Sequence, residues 1–207
     1  MKSETFLTGR IIKKYKMPLE EVQDLNEKYT KAKENLENMG HRLAGRIESE
    51  LSIVNIIQGC KIFDSLTKAM KDYIDSGVNY KLYESGEYNL NIISCWVNDM
   101  KEGEYNPPHT HYDSTGWSTV LFLKVPEFVN NLKVNEHKFK DGKILFIGVD
   151  GHGITDFFPE VGDFYIFEAK HMHCVMPFKV KEKNKIRRSM SFNFIRNKIE
   201  IPNVKSI

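Results

Sequence analysis

The sequence of 207 residues has few cysteines, no long apolar run and almost no excess of charge. Three cysteines are too few for the disulfide framework of a secreted domain. Because the apolar runs are only a few residues long, we expect no membrane-spanning segment. Thirty basic and 28 acidic residues leave a net charge of +2, which predicts no general affinity for nucleic acid or membranes. Residues 1–4 lack the apolar stretch of a signal peptide, so we expect a cytoplasmic location.

The first third of the chain has a helical pattern. Apolar residues three and four apart between Pro18 and Met39 predict one helix, with Gly40 as its stop. A second helix is predicted over 65–75, and we expect residues 41–57 to be helical too. Residues 1–80 are therefore predicted to form an N-terminal helical segment that packs on the rest of the domain.

Beyond residue 80 the pattern changes to short β-rich runs separated by turns. Seven strands are predicted, at 90–98, 118–125, 132–140, 143–149, 163–168, 172–178 and 187–195. Strands at this spacing, with no helices between them, are typical of an antiparallel sandwich or barrel. We therefore expect an α+β, mainly β fold with residues 81–207 as its core and one structural domain overall.

Two pairs of histidines are candidates for metal chemistry. The first lies in the segment His109-Thr110-His111-Tyr112-Asp113, and the second is His171-Met172-His173. Alternate residues of an extended segment face the same way, so His111 and Asp113 offer an imidazole and a carboxylate to one point. One imidazole of the second pair would complete two histidines and one carboxylate, the ligand set of non-haem Fe(II) oxygenases. Such short motifs are also common on surfaces that bind no metal.

The last predicted strand alternates between two faces. One face carries Arg187, Ser189, Ser191 and Asn193. A guanidinium with a hydroxyl two residues further on can receive a carboxylate. The alternative interpretation is an ordinary half-exposed strand with polar residues outward, and on periodicity alone that interpretation is the simpler one.

A longer set of residues in this order carries a family resemblance. It comprises Trp96, Asn98, Gly103, Asn106, His109, His111, Ser118, Val120, Leu123, Gly162, Phe167, His173, Val175, Pro177, Phe178, Arg187, Ser189, Ser191, Phe192 and Asn193. In this respect the chain resembles the 2-oxoglutarate/Fe(II)-dependent dioxygenase superfamily, particularly its phage and marine bacterial members. The resemblance implies a double-stranded β-helix, the jelly-roll or cupin-like fold, with an N-terminal helical layer. For a viral protein the expected location would be the host cytoplasm.

The resemblance also implies roles for individual residues. His173 would be the distal metal ligand, and Arg187 with Ser189 would receive the far carboxylate of 2-oxoglutarate. Asn106 is a further expected cofactor-binding residue. His171 stands at a position that is usually apolar in relatives, so it is treated as a neighbour of the site.

The near side of the predicted metal site has two interpretations. Either His111 and Asp113 bind iron together with the distal histidine, or His109 and His111 do so in a three-histidine site. The first is favoured because the carboxylate of Asp113 offsets part of the charge of the ion. His109 would then contact the substrate or support a ligand.

The resemblance implies an enzyme that requires Fe(II), 2-oxoglutarate and O₂. It would hydroxylate an unidentified substrate, which is a protein side chain, a nucleobase or a small metabolite, and form succinate and CO₂. One alternative is a cupin-type metalloenzyme that does not use 2-oxoglutarate, and another is a non-catalytic binding or structural module on the same fold. The oligomeric state is open, and a dimer is compatible with the sequence.

Overall fold

The computed structural model describes residues 2–7, 10–111, 115–129, 141–148 and 153–199. These residues form two α-helices and eleven β-strands. The helices are α1 (Leu19–Ala32) and α2 (Phe63–Asn79). The strands are β1 (Ser3–Leu7), β2 (Ile11–Lys16), β3 (Ser49–Ser52), β4 (Tyr88–Met100), β5 (Asn106–His109), β6 (Trp117–Lys124), β7 (Ile144–Ile147), β8 (Ile154–Phe157), β9 (Asp163–Glu168), β10 (His173–Val175) and β11 (Arg187–Lys198).

The strands form two antiparallel sheets. The larger has the order β1-β2-β9-β6-β11-β4-β3, and the smaller has the order β5-β10-β7-β8. One apolar core lies between the larger sheet and the two helices, and a second core lies between the two sheets. The predicted mainly β architecture is therefore confirmed. Neither helix in the described part of the chain is long and apolar enough to cross a membrane.

Helix α1 forms where the apolar spacing predicts a helix. Val22, Leu25 and Tyr29 are buried along one face, and Glu20 and Glu21 in its first turn face the positive end of the helix dipole. The helix ends at residue 32, earlier than predicted, and a short 3-10 turn follows. Helix α2 covers the predicted second helix and extends it at both ends.

The prediction of a helix over residues 41–57 is wrong. That segment contains β3 and two short 3-10 turns, because it pairs with the edge of the larger sheet, where Glu50 lies opposite Asn98. Such a pairing is set by tertiary contacts and leaves no local pattern.

Two further N-terminal strands, β1 and β2, were not predicted. Both faces of β2 are covered, and its Lys13 is buried with its ammonium 2.6 Å from the carboxylate of Asp72. A buried lysine of this kind conceals the alternation that would indicate a strand. Residues 1–80 thus contribute three strands to the larger sheet, and the domain boundary near residue 80 stays a prediction. The predicted strand at 132–140 lies outside the described residues.

A buried ion pair joins the central strands to α1. The guanidinium of Arg188 on β11 donates two hydrogen bonds to the carboxylate of Asp99 on β4, at 2.5 and 3.0 Å. Lys33 and Tyr29 also donate to this carboxylate, at 2.6 and 3.2 Å. Burial acts to raise the pKa of Asp99, but the hydrogen bonds from Arg188 and Lys33 outweigh burial and leave the pKa lowered. The pair fixes the register of β11, whose other face looks between the sheets.

Replacing Asp99 with alanine should destabilise the fold, because it leaves the buried Arg188 cation without its partner. We expect the free energy of unfolding to fall by about 3–5 kcal/mol in urea titrations at neutral pH. Since the pKa of Asp99 is lowered in the fold, its contribution should be present at neutral pH and be lost as the pH falls below the ordinary carboxyl range. Glu48→Ala, at an exposed ion pair with Lys101, is the matched control and should cost far less, because solvent screens an exposed pair. Equal losses in the free energy of unfolding for Asp99→Ala and Glu48→Ala would contradict a stabilising role for the buried ion pair.

Candidate metal and carboxylate site

Three histidines from separate parts of the chain meet between the sheets. His109 ends β5 and lies directly opposite His173, which begins β10. His111 follows two residues after His109, and its backbone N–H donates to the carbonyl of Ala169 at 3.0 Å. Each of the three imidazoles offers one ligand atom, and these atoms lie within 4.8 Å of one another. One cation could reach all three after small side-chain rotations.

Hydrogen bonds to the backbone orient two of the imidazoles. His109 Nδ1 lies 2.7 Å from the carbonyl oxygen of Pro107, and His173 Nδ1 lies 2.9 Å from that of His171. A carbonyl only accepts, so Nδ1 of each ring carries the proton and Nε2 keeps its lone pair. His111 Nε2 lies 3.1 Å from the hydroxyl of Ser118. The hydrogen bonds of His109 and His173 to backbone carbonyls resemble those of metal-binding histidines, whose second nitrogen is commonly held by a carbonyl or carboxylate.

Burial keeps the three imidazoles neutral. It lowers the pKa of His111 to about 4, with His109 as a second cause. Burial and the two neighbouring imidazoles hold the pKa of His173 well below its ordinary value, and burial lowers that of His109. Three neutral imidazoles that face one point are suited to a divalent transition-metal ion.

The structure brings together part of the predicted ligand set. His111 and His173 meet, and His109, the alternative ligand, completes the cluster. Asp113 lies outside the described residues, so its assignment stays a prediction. His171 lies behind the cluster with its ring 5.5 Å from that of Phe146, and it supplies the carbonyl that orients His173.

The polar face of β11 also lines the space between the sheets. One cavity is lined by the three histidines and Arg187, together with Asn106, Ser189 and Ser191. His111 contacts Ser118, which pairs with Asn193 on β11, so Arg187 lies further along that strand, away from the histidine end. The opposite face of β11 packs against the helices. Both faces are thus buried, and the interpretation of an ordinary half-exposed strand is wrong.

Arg187 is a buried cation with no carboxylate partner in the described part of the chain. It is 1% exposed, and its guanidinium donates to the carbonyl of Gly142 and the sulfur of Met100, each at 2.7 Å. The residue that supplies this carbonyl has to be glycine, because its φ is +70° and a Cβ at position 142 would lie 2.4 Å from the ring of Phe128. Arg187 Nε has no hydrogen-bond partner within residues 2–7, 10–111, 115–129, 141–148 and 153–199. Burial lowers the pKa of Arg187 to about 9, so it is charged at neutral pH.

The walls around Arg187 are aromatic. The rings of Phe122 and Phe178 lie 5.7 and 5.3 Å from the guanidinium carbon. Such walls exclude water and strengthen the attraction of the cation for an anion. Phe178 belongs to the residues that carry the family resemblance, whereas no sequence pattern distinguishes Phe122, because no local pattern shows which aromatic residues surround a distant arginine.

The cavity contains further polar atoms without partners. Asn98 Oδ1 and Asn106 Oδ1 are buried and have no hydrogen-bond partner among the residues that the structure describes. Buried polar groups are normally satisfied, so these atoms and Arg187 Nε indicate a site that is shaped for a polar ligand. The donor set at one end and the unpaired cation at the other fit a metal ion and a small carboxylate, respectively.

The fold and the site define a double-stranded β-helix with an imidazole cluster and a buried cation inside its barrel. Residues 94–193 match the model of the family described as "Putative 2OG-Fe(II) oxygenase". The resemblance to the 2-oxoglutarate/Fe(II)-dependent oxygenases is thereby confirmed over this segment, which is just under half of the chain. The more specific resemblance to phage and marine bacterial members stays a prediction.

Solved structures show the same fold. A prolyl-4-hydroxylase from Pseudomonas putida has a TM-score of 0.58 at 18% identity, covering 90% of this chain and 92% of that chain. A prolyl hydroxylase from Trichoplax adhaerens, in complex with a hypoxia inducible factor oxygen degradation domain peptide fragment, has a TM-score of 0.59 at 12% identity, covering 91% and 84%. At these identities the likeness extends to the fold alone. No curated protein matches the sequence.

Removing single imidazoles should separate ligands from neighbours. We expect His173→Ala and His109→Ala to weaken Mn(II) or Co(II) binding at least a hundredfold in calorimetry, because each removes one of three convergent donors. His171→Ala keeps the backbone carbonyl that orients His173 and should change the affinity by only a few fold. Asp113→Asn is the discriminating variant. A large loss there with none in His109→Ala would favour the carboxylate set over the three-histidine set.

Proposed function

We propose that this chain is an oxygenase that uses Fe(II), 2-oxoglutarate and O₂ to hydroxylate a substrate, with formation of succinate and CO₂. The observation that carries the proposal is the buried guanidinium of Arg187, which has no carboxylate partner in the described part of the chain and faces the histidine cluster along one cavity. An unpaired buried cation is costly in a folded protein. An anionic cosubstrate that binds there would offset that cost.

The proposed metal ligands are His109, His111 and His173. Asp113 remains the alternative for the third position, as the sequence pattern favours it. Fe(II) held in this way would supply the redox chemistry that couples decarboxylation of 2-oxoglutarate by O₂ to hydroxylation of a C–H bond. The chain itself holds the neutral imidazoles in place through the carbonyls of Pro107 and His171.

The far carboxylate of 2-oxoglutarate is proposed to bind Arg187. The guanidinium can offer Nε, to which no described residue hydrogen-bonds, and Ser189, two residues further along the strand, can donate its hydroxyl hydrogen. Asn106 lines the same cavity between this end and the metal cluster. The aromatic rings around Arg187 keep water away, so that the charge of the arginine is opposed by the ligand rather than by solvent.

The three-imidazole cluster favours a second candidate. A cupin-type metalloenzyme that does not use 2-oxoglutarate would need the metal but not the carboxylate cradle. Arg187 distinguishes the two candidates. An enzyme that binds no 2-oxoglutarate does not account for a buried cation at the far end of the cavity. The substrate is proposed to be a protein side chain, a nucleobase or a small metabolite.

The first test is product formation. Purified protein with Fe(II), ascorbate, 2-oxoglutarate and O₂ should release succinate and CO₂ in equal amounts, including slow turnover without the substrate. Metal binding without succinate formation or 2-oxoglutarate binding would favour the second candidate. Failure to bind any divalent ion would favour a non-catalytic module on this fold.

Arg187→Met should separate cosubstrate binding from folding. We expect 2-oxoglutarate affinity to fall at least a hundredfold in calorimetry, because a buried charged hydrogen-bond pair is lost. Mn(II) affinity should stay within a few fold of wild type. Removal of an unpaired buried cation should leave the melting temperature of the ligand-free protein unchanged or higher. Unchanged cosubstrate affinity in this variant would refute the assignment of Arg187.

A further inference from the structure

A row of polar side chains leads away from the proposed cosubstrate site toward the edge of the larger sheet. Ser189 on β11 lies opposite Asn98 on β4, and Asn98 lies opposite Glu50 on β3. Directly opposite residues in an antiparallel sheet have their Cβ atoms about 4.5–5.5 Å apart and share one face. Asn98 and Ser189 line the cavity. Glu50 is therefore the cross-strand neighbour of a residue that lines it.

Glu50 and Asn98 lie opposite each other on neighbouring strands, and each carries a buried oxygen acceptor for which the described residues supply no donor. Glu50 is 1% exposed, and within the described part of the chain neither its Oε2 nor Asn98 Oδ1 has a hydrogen-bond partner. A carboxylate and an amide oxygen are both pure acceptors, whereas a protonated carboxyl is also a donor. A proton on Glu50 would satisfy both groups.

The surroundings of Glu50 favour its neutral form. The segment 40–47 covers it closely, since a Cβ on Gly45 would lie 2.8 Å from its Oε1. The two arginines of that segment, Arg42 and Arg46, are exposed. The charged group that acts on Glu50 is Glu104, which follows β4, and burial with Glu104 raises the pKa of Glu50 to about 7.

We propose that Glu50 is a positioning residue that, as a neutral acid, donates a hydrogen bond to Asn98 Oδ1 and so aims the Asn98 amide N–H group at the anionic cosubstrate beside Ser189. This inference rests on the proposed function. When Glu50 ionises, its carboxyl group can no longer donate a hydrogen bond to Asn98. Its negative charge then lies near the anionic ligand, with Asn98 between them. Cosubstrate binding should then be stronger below neutral pH than above it.

The test is the pH dependence of 2-oxoglutarate binding to the Mn(II)-loaded protein between pH 5.5 and 8.5. We expect the wild-type affinity to fall about tenfold as the pH rises through 7, on the order of one Coulomb interaction near 10 Å at a protein-surface dielectric. Glu50→Gln keeps a donor and does not ionise, so its affinity should be nearly independent of pH and close to the low-pH wild-type value. The carboxyl ¹³C shift of Glu50 should titrate near pH 7.

Two further variants sharpen the result. Glu104→Gln keeps an acceptor for one of the two backbone N–H groups, those of Glu48 and Lys101, that donate to separate oxygens of Glu104. It removes the like charge, so the fall in affinity should move to lower pH. Glu48→Gln, an exposed carboxyl two residues from Glu50, is the control and should leave the profile unchanged.

Two outcomes would contradict the inference in different ways. An unchanged pH profile in Glu50→Gln, or a Glu50 carboxyl that titrates near 4, would overturn the role of Glu50 and leave the proposed function intact. Absence of 2-oxoglutarate binding to wild-type protein at every pH would overturn both.

Discussion

The site depends on strand β11, which places two consecutive arginines in opposite environments. Arg188 faces the helices and is neutralised by Asp99, so it fixes the strand against β4 and α1. Arg187 faces the cavity between the sheets and is left as a buried cation without a carboxylate partner among the described residues. Because adjacent residues of a strand point to opposite faces, the stabilising pair and the cation proposed to bind the cosubstrate come from the same piece of backbone.

The two ends of the cavity have complementary electrostatic character. At one end, burial holds three imidazoles neutral, so protons do not compete with a cation for their nitrogens. At the other end, burial lowers the pKa of Arg187 to about 9 yet leaves it charged at neutral pH. A metal ion and a carboxylate are the ligands proposed for these ends. The low dielectric between the sheets makes an unpaired charge or polar group costly there. It also strengthens the interaction of that group with a matching ligand.

Much of this arrangement could be predicted from the sequence. The alternation of β11 identified Arg187 and Ser189 as facing the same side, and the two histidine pairs indicated a metal cluster of which the structure brings together His111 and His173. The order of these motifs indicated the fold. Such features are local patterns, so they are visible without knowledge of the tertiary structure.

The remainder could not be predicted because it depends on contacts across the fold. The sequence around β3 predicts a helix and gives no reason to single out Glu50. Only the pairing of Glu50 with Asn98 places it near the site. Strand β2 was missed because Lys13 is buried against a partner 59 residues away. The position of His109 opposite His173 likewise follows from a strand pairing between distant segments.

The most direct test of the central claim is an anaerobic titration of the Fe(II)-loaded protein with 2-oxoglutarate, followed by visible absorption. If the keto acid binds to the metal and to Arg187 at once, a charge-transfer band should grow and saturate at one 2-oxoglutarate per iron. Arg187→Met should need far more 2-oxoglutarate to produce the same band. Saturable binding of 2-oxoglutarate with no change in the iron spectrum would place the ligand elsewhere and contradict the account.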